Sequence, residues 1–142
     1  MENMFEMEWP SLKAKVDAKL FMDRNPELCK VFWDCMPFET IQLHAVVSGE
    51  DMYAYCPVNE VEFHNKGKHP VVISEAPAGS ITYSVLGLVA VYYGSITENL
   101  KTQLIGQVKG ENLDILKSVG KAVWDSMYNT KKIIKVVFRK KQ

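Results

Sequence analysis

Leu12-Lys13-Ala14-Lys15-Val16-Asp17-Ala18-Lys19-Leu20 alternates apolar and charged residues, and Asn25-Pro26-Glu27 follows shortly after. The period of two puts Leu12, Ala14, Val16, Ala18 and Leu20 on one face of a half-buried strand. Asn25 then offers a helix N-cap, Pro26 suits the first helical position, and Glu27 places an acid where the helix dipole favours it. Behind them Leu28, Val31, Phe32, Cys35 and Met36 recur at helical spacing until Pro37 ends the run. The fold therefore opens with a strand and a short amphipathic helix.

Outward from this pair the pattern is mostly strand. Ile41 to Ser48, the turn Gly49-Glu50-Asp51 and Met52 to Val58 predict a hairpin. A polar loop at Asn65-Lys66-Gly67-Lys68 precedes a β-branched run at Val71-Val72-Ile73, and Ala76-Pro77-Ala78-Gly79 is a turn. Ile81 to Val85 and Leu88 to Tyr93 read as strands parted by Leu86-Gly87, with Gly94 closing the second. Ser95 to Gln103 is polar, and Leu104 to Val108 is another short strand. In Glu111 to Asn129, Leu113, Leu116, Val119, Gly120, Val123 and Met127 share one face of a second helix, and Gly120 implies close approach to the sheet. Lys131 to Lys141 alternates again, a closing strand that would satisfy the sheet's edge. The polar, Met-rich residues 1–10 are expected to be flexible, and residues 1–142 to form a single domain.

Composition supports one core: 47% of the 142 residues are hydrophobic, enough to offset chain entropy in a domain of this size. Lys plus Arg equals Asp plus Glu at 17 each, so no net field draws the chain to nucleic acid or to an anionic membrane. Locally, Glu2, Glu6 and Glu8 make one end acidic, while Lys131, Lys132, Lys135, Arg139, Lys140 and Lys141 make the other basic. The longest apolar stretch, Val85 to Tyr93, is too short to span a bilayer. The first residues lack the basic and apolar regions of a signal peptide, so a cytoplasmic location is expected. Cys29, Cys35 and Cys56 are odd in number and without CxxC spacing, which predicts reduced, buried thiols. Oligomeric state is left open, a homo-oligomer included.

Several short segments carry a resemblance: Pro37-Phe38-Glu39 after the first helix, Gly49-Glu50 with Met52-Tyr53 and Pro57-Val58, Gly79-Ser80-Ile81-Thr82-Tyr83, Tyr92-Tyr93-Gly94, and Ile105-Gly106-Gln107-Val108. Together with the element order, over roughly residues 10 to 140, they resemble the small cyclophilin-like proteins of bacteria and archaea. The resemblance implies a mainly β, α+β fold: a closed cyclophilin-like antiparallel β-barrel with two flanking helices. Prolyl isomerases of this fold carry a Phe-His-Arg-type segment and a Phe-Met-x-Gln run, and neither is present; the only arginines are Arg24 and Arg139. The chain also resembles cucumopine-synthase-type proteins, which implies cofactor-free condensation of an amino acid or amine with a carbonyl compound.

The residues offer acid/base groups for such chemistry. On the strand from Ile41, Gln42, His44, Val46 and Ser48 share the face opposite Leu43, Ala45 and Val47, and that polar face either meets solvent or lines the barrel's mouth. His44 is the candidate proton shuttle, because its pKa is near neutral. Glu50 and Glu98 are the acids placed to overhang a barrel end and assist it. Gln42, Ser48, Tyr53, Tyr55 and Tyr93 are candidate substrate-binding groups, the choice between Tyr92 and Tyr93 staying open because neighbours on a strand face opposite ways. His44, His64 and His69 lack metal-ligand spacing, and no glycine-rich phosphate loop or Gly-x-Ser-x-Gly elbow appears. No metal and no cofactor is expected. The expected activity is that of a cofactor-independent enzyme on a small polar metabolite in the barrel pocket, the alternatives being a non-catalytic small-molecule or peptide-binding module and, third, a peptidyl-prolyl isomerase.

Overall fold

In the computed structural model, which describes residues 3–58, 67–84 and 87–141, the alternating run forms β2 (Ala14–Leu20), with Val16, Ala18 and Leu20 buried. It is not the first strand. β1 (Asn3–Trp9) precedes it and pairs with it antiparallel along its whole length. The expectation of a flexible start is corrected here for residues 3–9: Phe5, Met7 and Trp9 alternate onto the core face and are all but fully buried. The intervening acids hid that pattern. His64, the Asn65-Lys66 half of the polar loop, Val85 and Leu86 lie outside the described residues.

The first helix, α1 (Pro26–Cys35), starts at Pro26 as predicted, ends one residue before the expected Met36, and buries Leu28, Cys29 and Phe32. Asn25 sits at its N-cap position, yet its side chain caps nothing. Its amide instead donates to Gln103 Oε1 and the Leu104 carbonyl and accepts from the Lys68 amide, so it fastens the helix start to the sheet. After α1 come β3 (Phe38–Ile41), β4 (Leu43–His44) and β5 (Gly49–Tyr55). The expected strand Ile41–Ser48 breaks at Gln42 and again after His44, and the chain reverses at residues 45–48. Gly49-Glu50-Asp51, expected as the turn, is the first part of a strand. Gly49 has φ +115°, and a Cβ there would lie 2.4 Å from the Ser95 carbonyl oxygen, so glycine is required by both conformation and space.

The remaining elements are β6 (Pro70–Val72), β7 (Ser80–Ser84), β8 (Leu88–Ile96), β9 (Lys101–Val108), α2 (Leu113–Asp125) and β10 (Lys135–Lys140). β8 runs through Gly94 to Ile96, and β9 begins within the stretch expected to be polar loop. The sheet order is β3-β10-β1-β2-β9-β7-β8-β5-β4, with β6 beside β9. Its two ends, β3 and β4, are separated only by Gln42, so the sheet closes on itself there. The Gln42 amide N–H donates to the Ile134 carbonyl, while its side chain donates to the Tyr53 carbonyl and accepts from Trp9 Nε1. Pairing β1 with β10 also meets the charge asymmetry of the two ends: Arg139 bonds both Glu6 and, at 2.7 Å, Glu8.

Core side chains fill the barrel. Phe32 meets Phe5, Phe38, Tyr83 and Phe138 edge-on at centroid distances of 5.4 to 6.2 Å, and Met7, Trp9, Leu20, Met52, Ile81 and Ile105 pack around the same cluster. α2 covers the sheet through Leu116, Val119 and Val123. Among the described residues no helix is long and apolar enough to cross a membrane.

Candidate functional site

Where the sequence leads one to expect a pocket at the barrel's mouth, aromatic and aliphatic side chains of the described residues occupy the lumen. A cavity of about 500 Å³ instead lies on the outer face of β5, β7 and β8. The faces separate by alternation: Met52, Ala54, Ile81, Tyr83, Val89, Val91 and Tyr93 belong to the core, whereas Asp51, Tyr53, Thr82, Ser84, Leu88, Ala90 and Tyr92 line the cavity. Ile73 and Leu100 add apolar wall, and Glu98 and Lys101 bring opposite charges to it. The size and the mostly apolar lining with a few polar groups suit a small organic molecule.

Asp51 is the group set apart by its surroundings. It is 9% exposed; Oδ2 accepts from Ser48 Oγ at 3.0 Å, and Oδ1 is buried without a hydrogen-bond partner. Burial pushes its pKa from 3.8 up to about 7, the Ser48 hydroxyl opposing the rise and the Glu98 charge adding to it. Across from it the Tyr92 hydroxyl bonds Thr82 Oγ1 at 3.0 Å, and burial pushes this phenol up to about 12. Tyr53 is also raised by burial, then by Tyr55, Tyr128 and Asp51. An acid poised near neutrality beside un-ionised phenols can both take and return a proton.

The residues singled out in the sequence divide between two sides of the sheet. Ser48, Tyr53 and Glu98 line the cavity. His44 and Tyr93 lie on the other side, beneath α2: His44 Nε2 is 2.6 Å from the Tyr93 hydroxyl, and its ring lies edge-on to Trp124 at 5.0 Å. Nδ1 faces the Ala45 carbonyl at 2.8 Å, which accepts only, so Nδ1 carries the proton and Nε2 accepts from Tyr93. Burial lowers the His44 pKa, the Ala45 carbonyl and Glu50 partly offsetting it. Glu50 accepts from the Ser95 amide at 2.9 Å, holding an irregular stretch where Gly49 and Asp51 of β5 face Ile96 and Tyr92 of β8. Gln42 is the barrel's seam, and Tyr55 is half exposed, edge-on to Tyr53. Arg24 lies over the Phe21 ring, and Arg139 is engaged by Glu6 and Glu8. The turn composition of Gly49-Glu50-Asp51 conceals Asp51 in the sequence; the signal that reveals it is the alternation of Met52-Tyr53-Ala54-Tyr55, which extends back through it. Among the described residues no group of three His, Cys, Asp or Glu side chains is placed to hold a metal.

Solved structures similar to this chain include these three. Mimivirus cyclophilin matches with TM-score 0.60 and 14% identity over 98% of this chain and 87% of its own. The fold is cyclophilin-like. A hypothetical protein of Archaeoglobus fulgidus matches it with TM-score 0.61 and 13% identity, over 99% of this chain and 95% of its own. McbB, solved in complex with tryptophan, reaches TM-score 0.91 and 33% identity over 96% of this chain. The chain spans 44% of McbB's length. No family model and no curated protein matches the chain.

Proposed function

We propose that the outer cavity binds a small amine, an amino acid with an apolar or aromatic side chain, and that Asp51 moves the proton in its condensation with a carbonyl compound. The observation that carries this reading is the partnerless Oδ1 of Asp51 in the cavity wall, which an ammonium group would satisfy. Glu98 adds negative charge for the ammonium and Lys101 positive charge for a carboxylate, while Ile73, Leu88 and Tyr92 supply apolar surface. The likeness to McbB, a tryptophan-bound protein, favours the same ligand class. Condensation needs an amine freed of its proton and a carbinolamine hydroxyl that leaves as water. Asp51, ionised, takes a proton from the ammonium; the amine adds to the carbonyl carbon and a proton passes from its nitrogen to the oxygen, giving the carbinolamine; Asp51 returns its proton to the hydroxyl, which leaves as water, and a protonated imine remains with Asp51 ionised again. Tyr53, in the same cavity wall, would donate to the carbonyl oxygen in this scheme. His44, Glu50 and Tyr93 lie across the sheet and take no step in this scheme.

Thermal shift and calorimetry with aromatic amino acids and their deaminated analogues test the ligand class. The amino acids should stabilise the protein and the deaminated acids should not. Incubation with an aldehyde or α-keto acid should give a product with the summed mass less water, at a rate that rises with pH through about 7 as Asp51 ionises. Asp51→Asn should retain the fold and lose turnover by at least about 100-fold. Equal turnover by Asp51→Asn sinks the mechanism, and binding without turnover by the wild type makes the cavity a binding module.

A further inference from the structure

Two of the three cysteines, 21 positions apart in sequence, meet in the fold: Cys35 Sγ lies 3.4 Å from Cys56 Sγ. Cys35 is the last residue of α1, and Cys56 directly follows β5. Each is at the end of its element, where a small shift does not break a helix turn or a strand ladder. Cys35 is partly exposed and Cys56 is buried. Cys29 provides the contrast: fully buried, it lies against the Ile105 carbonyl, and burial pushes its thiol up to about 12.

We propose that Cys35 and Cys56 form a reversible disulfide, a redox modification site that fastens the end of α1 to the end of β5. The sulfurs need to approach by little more than an ångström to reach the bond length of about 2.05 Å. The order of events follows from exposure and hydrogen bonding. Cys35 is the accessible sulfur, and the hydrogen bond from Cys56 lowers its pKa, whereas burial and the neighbouring Cys35 raise that of Cys56. The oxidant is a low-molecular-weight disulfide such as oxidised glutathione. The Cys35 thiolate attacks one of its sulfurs and expels one thiolate, which takes up a proton. Cys56 then gives up its proton and attacks Cys35 Sγ, expelling the second thiol. Two protein thiols and one small disulfide thus become one protein disulfide and two small thiols.

The loop closed by this bond holds β3, β4 and Asp51, so oxidation constrains in the unfolded chain the segment that closes the barrel and carries the cavity's acid. A loop of this length should raise the melting temperature by about 10 °C. The test is to incubate the reduced, native protein with oxidised glutathione and read intact mass, free thiols, peptide linkage and melting temperature. Wild type and Cys29→Ser should lose the mass of two hydrogen atoms, yield a Cys35–Cys56 peptide and melt higher, all reversed by dithiothreitol. Wild type should fall from three free thiols to one. Cys56→Ser should stop as a glutathione adduct on Cys35, and Cys35→Ser should acquire neither adduct nor bridge. The proposal is overturned if wild type keeps all three thiols, ends as a glutathione adduct, or shows an adduct on Cys56 in Cys35→Ser at the wild-type rate. The wild-type measurements decide it even where a variant fails to fold.

Discussion

On the function proposed above, Asp51 couples recognition to stability. In the unfolded chain its carboxyl ionises near 3.8, whereas the folded environment holds it protonated up to about 7. Between those values the native state binds the extra proton, so stability is greatest below pH 4 for this group and declines as pH rises to 7. At about 1.4 kcal/mol per unit, the decline reaches about 4 kcal/mol. Asp51→Asn removes the titration while keeping an oxygen for Ser48. Urea denaturation should therefore show the variant gaining on wild type by about 2–3 kcal/mol between pH 5 and pH 8; parallel pH dependence of the two proteins would refute the shifted carboxyl. Tyr92 and Tyr93 illustrate a limit of reading at this scale. Alternation shows that they face opposite ways, but only the burial of Val89 and Val91 with Tyr93 settles which of them meets the cavity.

Among the elements, both helices were legible because their signals are local: Pro26 starts one and Pro37 ends it, and an apolar stripe marks α2. Gly120 on that stripe was read as a point of close approach, and the structure names the partner. A Cβ at Gly120 would lie 2.3 Å from Cδ1 and Cε1 of the Tyr93 ring. Alanine favours a helix over glycine by up to about 1 kcal/mol, but overpacking a buried contact costs about 1–3 kcal/mol, so the clash prevails. Gly120→Ala should lose about 1 kcal/mol in denaturant unfolding, and a stabilised variant would mean that α2 can lift off Tyr93 freely. The strands were less legible. β1 was missed because Glu6 and Glu8 look like a solvated tail until Arg139 is seen across from them, a contact separated by more than 130 residues in sequence. The hairpin turn was misplaced because Gly49-Glu50-Asp51 has turn composition, while the reversal at residues 45–48 contains two exposed valines, Val46 and Val47, that look like strand.

For the whole molecule, closure depends on Gln42. Two strands that begin and end the sheet order are one bent segment, and the amide at the bend bonds a tryptophan from β1 and a carbonyl from β5. Gln42→Leu keeps the bulk but leaves the Trp9 N–H buried without an acceptor, at about 1–3 kcal/mol for the stranded group. Denaturant unfolding followed by tryptophan fluorescence should show a loss of about 2 kcal/mol, and an unchanged midpoint would place the closure elsewhere. The element order and the likeness to cyclophilin-like proteins reach the barrel from sequence alone, yet they put its pocket at the barrel's mouth. Side-chain volume decides that question: Phe5, Trp9, Phe32, Tyr83 and Phe138 together leave the interior full. A barrel that is solid inside and concave on one outer flank would keep folding and the proposed recognition back to back, sharing a backbone but few side chains. Variation among residues such as Ser84, Leu88 and Ala90 can then retune what the flank accepts while the nucleus that secures the chain is left untouched, a division of labour that makes the scaffold easy to diversify or redesign.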